Sequence, residues 1–189
     1  MNVMKLLLIL FALLPSVLIA QPQALKEAVD YLNAMRANPS VFSKEVGLSL
    51  NGISPRQNLR WNATLAQVAQ AKAEDMARNN YFGHVDKKGY GMNYYINKAG
   101  YRLPDSWLKE KKNNFCESIA AGPDTPKDGI IQLINDGGVK EHTKAGHRVD
   151  LLGIGDFYKD NVDIGIGWAN SPNSTYKTYM VVIITHPAE

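Results

Sequence analysis

The sequence predicts an α+β fold, because its helical periodicities come early and its strand-like runs are gathered near the end. From Leu59 to His84, apolar residues recur at three- and four-residue spacing, as on one face of an amphipathic helix. The tail holds two strand-like runs, Val162 to Ala169 and Tyr176 to Thr185. Between them Asn170-Ser171-Pro172-Asn173-Ser174 is a turn signal, so the pair reads as an antiparallel hairpin. The chain has 189 residues, 45% of them apolar and 21% charged, which suits one packed domain and excludes wholesale disorder.

Residues 1–20 have the layout of a secretory signal: Lys5 first, an apolar run from Leu6 to Leu14, Pro15 as a break and Ala20 before the cut. That run is shorter than the roughly 20 apolar residues of a spanning helix. The expectation is therefore a signal peptide over 1–20 and one mature domain over 21–189. The product is secreted or extracellular, or lies in the periplasm or cell envelope of a Gram-negative cell, with no transmembrane span in the mature chain. The net charge of +3 comes without any basic block interleaved with aromatics, which excludes a nucleic-acid partner. Cys116 is the only cysteine, so no intramolecular disulfide forms and the core alone stabilises the domain.

The elements follow in order. Leu25, Ala28, Val29, Leu32 and Met35 make the apolar stripe of a first helix, ended by Asn38-Pro39. Val41 to Val46 adds a short turn, and residues 51–58 are a loop by composition. The long helix is capped by Asn62 or Thr64 and buries Leu65, Val68, Ala69, Ala73, Met76 and Ala77. Lys72, Glu74, Asp75 and Arg78 fall on its solvent side. Met92 to Ala99 is a third helix closed by Gly100, and residues 103–114 are a solvated connection. Phe115 to Ala121 alternates around Glu117 as a short strand. Thr125-Pro126-Lys127-Asp128 starts another helix, with Thr as cap and Pro in the first turn, and Ile130, Ile131, Leu133 and Ile134 form its buried side.

Several of these pieces, taken together, resemble the CAP superfamily, the SCP domain of cysteine-rich secretory proteins, venom antigens and plant pathogenesis-related proteins. The matching residues are LRWNATLAQVAQAKAEDMA with its FGH exit, CESIA, INDGGV, and GHRVDLLGIG followed by VDIGIGWA. The likeness is to the disulfide-free bacterial branch. It implies a three-layer α-β-α sandwich with a small, largely antiparallel central sheet, and a cleft of two histidines and two acids. By position these are His84, Glu117, Asp136 and His147, a candidate ligand set for zinc or another divalent metal. The sequence departs from the family pattern where Cys116 replaces a glycine, Ser118 an asparagine and Leu133 a tryptophan.

Two imidazoles and two carboxylates suit a zinc-like ion; the same residues could instead form metal-free pairs in which each carboxylate fixes an imidazole tautomer. The resemblance implies a non-enzymatic extracellular binding or interaction module, taking a lipid, a sterol or an extracellular protein partner. The alternative is a metal-assisted hydrolase, protease-like, in which Glu117, His84 and His147 would be catalytic. Ser118 lacks a nucleophile elbow, and Cys116 reads as a buried inert thiol. Tyr90, Met92, Tyr94, Tyr95 and Tyr101 form a cluster that either lines a ligand groove or covers the core. His142 and His186 are expected to face solvent.

Overall fold

The computed structural model describes residues 23–188. The signal peptide expected over 1–20 lies outside the described residues. The fold is a three-layer α-β-α sandwich. Its first helix, α1 (Gln23–Ala37), buries the expected stripe and stops ahead of Asn38-Pro39. A 3-10 turn (Pro39–Phe42) and the short α2 (Ser43–Val46) follow, closed by Gly47 in the left-handed region. The long helix is α3 (Ala63–Asn79). Asn62, not Thr64, caps it, its side chain accepting from Leu65 N at 3.1 Å.

The sheet has the order β1 (Arg60–Trp61), β3 (Asp163–Asn170), β4 (Thr178–Thr185), β2 (Glu117–Ala121). The β3–β4 and β4–β2 pairs are antiparallel, and the two-residue β1 runs parallel to β3. A central strand covered on both faces must be apolar at every position, which is why β4 reads as an unbroken run. Met180, Val182 and Ile184 pack toward α1 and α5 (Pro126–Asn135), while Tyr179, Val181 and Ile183 pack toward α3 and α4 (Met92–Lys98). Gly165 and Gly167 let α3 lie directly on β3. A Cβ at either position would come within 2.2 Å of the α3 backbone, at Ala66 N and Ala69 C.

Two expectations change. Residues 103–114 are not wholly solvated: Leu103 is buried, and Trp107 and Leu108 pack on the α3-side core. Lys72 is not on a solvent face; it is 6% exposed. Helical periodicity located the side of α3 that meets the sheet, but the segment after α3 folds back over Lys72. Its ammonium donates there to the hydroxyl of Tyr81 and the carbonyl of His84.

Two buried arginines brace the layers. Arg36 donates to the carbonyls of Gln57, Leu151 and Asn161, and burial pulls its guanidinium down to about 10. Arg148 lies in α6 (Gly146–Leu151), a helix too short to show a sequence period. It donates to the carbonyls of Ile134 and Asn135, acceptors that the C-terminus of α5 leaves open, and to that of Val139 in the segment beyond.

Candidate functional site

The four predicted residues meet in one cleft of about 510 Å³, also lined by Asn114, Ser118, Asp150 and Tyr158. Each arrives from a junction fixed by the fold. His84 stands in the segment that leaves α3. Glu117 opens β2 and, by strand alternation, shares the α3 side of the sheet with Ile119. Asp136 ends α5 in the left-handed conformation, φ 49°, which an acid tolerates better than most residues. His147 occupies the first turn of α6, and the adjacent Arg148 ties that turn to the end of α5.

The residues form two couples. His84 Nδ1 lies 2.8 Å from Glu117 Oε2, and His147 Nδ1 lies 3.0 Å from Asp136 Oδ1. Asp136 also accepts from the backbone N–H of His147 through Oδ2, at 3.0 Å. The ring centroids are 6.4 Å apart. The Nε2 atoms of both rings make no hydrogen bond among the described residues. An imidazole that donates from Nδ1 to a carboxylate has a free lone pair on Nε2, the atom with which it can accept or ligate.

The couples differ electrostatically. The Glu117 side chain is 0% exposed, its Oε1 has no partner among the described residues, and burial raises its carboxyl, opposed by the His84 hydrogen bond and the Lys72 charge. Asp136 is part-exposed, at 18% of its side chain. An ionised Glu117 takes the Nδ1 hydrogen of His84, whereas a neutral one would donate its own and move the imidazole hydrogen to Nε2. Behind this couple Asp150 on α6 is fully enclosed, and its carboxyl is pushed up to about 7, chiefly by burial. Ser118 donates to its Oδ2 at 2.9 Å, and Oδ1 has no partner among the described residues.

A direct four-donor metal shell does not fit this arrangement. Among the described residues no three His, Cys, Asp or Glu side chains are grouped to hold a metal ion. Glu117 and Asp136 each face an Nδ1, so a metal would be held by the two Nε2 atoms, the carboxylates acting on the imidazoles from behind.

Residue reading alone did not find Asn114 or Asp150. Asn114 Oδ1 accepts from Glu117 N at 3.1 Å, while its Nδ2 donates to Glu117 O and sits 3.0 Å from His84 Nδ1. An Asn three residues before a strand's first acid is the one local signal that pointed there. His142 and His186 are not simply solvent-facing. His142 Nδ1 accepts from Arg148, and His186 contacts Asn161 and the Trp107 ring. The tyrosine cluster divides between the two expectations: Tyr101 is buried and donates to Asp163, Tyr95 packs on the α3-side core and with Met92 also lines a concavity between α3 and α4, and Tyr90 and Tyr94 pack on Tyr95 and on each other. Cys116 is buried, and its thiol is pushed up by that burial.

The model of the CAP family, described as the cysteine-rich secretory protein family, matches residues 29–184, and the chain belongs to that family. Among solved structures it is similar to an outer surface protein of Borrelia burgdorferi, with 18% identity and a TM-score of 0.51, covering 86% of this chain and 95% of that one. It is also similar to venom allergen-like protein 4 of Schistosoma mansoni, with 12% identity and a TM-score of 0.53, covering 89% of this chain and 92% of that one. At these identities the likeness is one of fold. No curated protein matches the sequence significantly. Among the described residues no helix is long and apolar enough to cross a membrane.

Proposed function

We propose that this protein is a secreted, non-enzymatic binding module whose His84–His147 cleft takes its ligand through the two Nε2 atoms. One observation carries the reading. Both Nδ1 atoms are held by buried or half-buried carboxylates, so both rings are oriented and their second nitrogens have no partner among the described residues. A divalent ion such as zinc is the ligand chemistry that this pair fits. When bound, it would supply a Lewis-acidic centre for a partner's oxygen or nitrogen donor. A covalent hydrolytic route is disfavoured because neither nucleophile candidate hydrogen-bonds a histidine among the described residues. Ser118 is buried and donates to Asp150, and the Cys116 thiol donates toward Asn93 Oδ1 in the core.

A thermal melt with zinc against a chelator tests this, run beside His84→Ala and His147→Ala. A ligand at a hundred times its dissociation constant stabilises by about 2.7 kcal/mol, which is roughly 5–10 °C for a domain of this size. The expected result is such a rise in the parent and none in either variant. No rise in the parent, with both variants folded, overturns the metal reading.

A further inference from the structure

The histidine cleft holds two acceptor atoms that the imidazole couples do not use. Glu117 Oε1 and Asp150 Oδ1 are both enclosed, and neither has a partner among the described residues. Their sister oxygens are occupied, Glu117 Oε2 by His84 at 2.8 Å and Asp150 Oδ2 by the Ser118 hydroxyl at 2.9 Å, so each carboxyl is held with one oxygen left over. Both residues line the cleft, Glu117 from the start of β2 and Asp150 from α6. Glu117 disfavours ionisation of Asp150, so the two carboxyls lie within each other's field.

An enclosed carboxylate oxygen without a partner is uncommon, because it has given up its hydration. Two of them in one cleft call for a partner from outside the chain. A carboxylate only accepts, so that partner is a donor. Charge points the same way. Among the described residues neither acid has a Lys or Arg within ion-pair distance. Lys72 and Arg36, the cations that act on them, direct their hydrogen bonds elsewhere: Lys72 to Tyr81 and the His84 carbonyl, Arg36 to three backbone carbonyls. A metal ion does not suit these oxygens, since no three metal-ligating side chains are grouped among the described residues. A primary ammonium does, with one positive charge and three N–H donors. The cleft, at about 510 Å³, has the size of a small-molecule site. Its lining includes Phe115, which is 38% exposed, and half-buried Tyr158, rings that can pack an apolar body beside a cation.

We infer that the cleft binds a small primary amine, its ammonium on Glu117 Oε1 and Asp150 Oδ1 and its apolar body against Phe115 and Tyr158. The inference rests on the reading of this cleft as a binding site, but it uses atoms other than the two Nε2 atoms and needs no metal.

The test titrates the full chain in chelator with phenethylamine, 2-phenylethanol and trimethyl(phenethyl)ammonium, followed by calorimetry and by amide shifts in two-dimensional NMR. At about pH 8 Asp150 is ionised and the amine keeps its proton. Phenethylamine is expected to bind saturably and to shift amides of β2 and α6. It should bind about tenfold or more tightly than the alcohol, which lacks the charge, and than the quaternary cation, which lacks the N–H donors. Asp150→Asn keeps an acceptor for Ser118 and puts N–H donors where Oδ1 stood. It is expected to fold as the parent does and to lose about tenfold or more in amine affinity. Because the titration is metal-free, its result is independent of whether zinc raises the melting temperature. No saturable binding by the parent, as when trapped water alone serves the two oxygens, would overturn the inference. So would equal affinity for the three compounds, or amine binding unchanged in Asp150→Asn.

Discussion

Replacing Asp150 with asparagine isolates the least favourable charge in the site. The carboxyl is pushed from its ordinary 3.8 up to about 7, first by burial, opposed by the Ser118 hydrogen bond and the Arg36 charge, and reinforced by Glu117. The folded protein thus keeps a proton that the unfolded chain releases near pH 4. Stability falls as pH rises through the window from about 4 to about 7 and levels off above it. The whole displacement corresponds to about 4 kcal/mol, of which the interval from pH 5 to pH 8 spans about 3 kcal/mol. Asparagine can still accept the Ser118 hydroxyl and never ionises. Urea unfolding of both proteins at pH 5 and pH 8 measures the effect. Asp150→Asn should lie near the parent at pH 5 and should exceed it at pH 8 by up to about 3 kcal/mol. Comparing the two proteins at each pH cancels every other titrating group. A difference that is the same at both pH values would refute the reasoning that Asp150 is enclosed and neutral in the acid range.

Two further substitutions probe the frame that carries the cleft. Gly167→Ala places a methyl group 2.2 Å from the Ala69 carbonyl carbon, against helix backbone that cannot swing aside. It should cost about 3 kcal/mol or more, whereas Gly146→Ala, with nothing within 4 Å, should change stability by under about 1 kcal/mol; denaturant melts would show both. Arg148→Met strands the carbonyls of Ile134 and Asn135 at the end of α5 and of Val139 beyond it. At about 1–3 kcal/mol for an unsatisfied buried acceptor, the loss should reach about 3 kcal/mol and should loosen the junction holding Asp136 and His147. A denaturant midpoint equal to the parent's would contradict this capping role for Arg148.

The parts of this fold that were legible in the sequence are those in which one element's own residues decide its structure. The buried face of α3, the Thr125-Pro126 start of α5 and the β3–β4 hairpin are local patterns, and each appears as read. What escaped depends on a second segment. Lys72 carries the pattern of a solvent face, and only the chain after Asn79 encloses it. Arg36 and Arg148 look like surface charges, yet both are buried because loop and helix-end carbonyls need their donors. The six residues of α6 and the two of β1 are too few for periodicity to register. In the cleft, His84, Glu117, Asp136 and His147 share no helical ligand spacing, so family likeness alone linked them. That likeness did not anticipate that the acids face Nδ1 atoms, a matter of side-chain geometry. Nor did it anticipate Asp150, which acquires its meaning only once β2 and α6 bring it beneath Ser118.

The central claim is that Glu117 and Asp136 orient His84 and His147 and leave both Nε2 atoms for a ligand. Long-range proton–nitrogen NMR of the imidazole rings at neutral pH tests it most directly, because it reads which ring nitrogen carries hydrogen. Both histidines should show the Nδ1–H tautomer, with loss of that preference at His84 in Glu117→Leu and at His147 in Asp136→Ala, variants that remove the acceptor oxygen. Hydrogen on Nε2 in the parent at either ring, or tautomers unmoved by removing the acids, would contradict it.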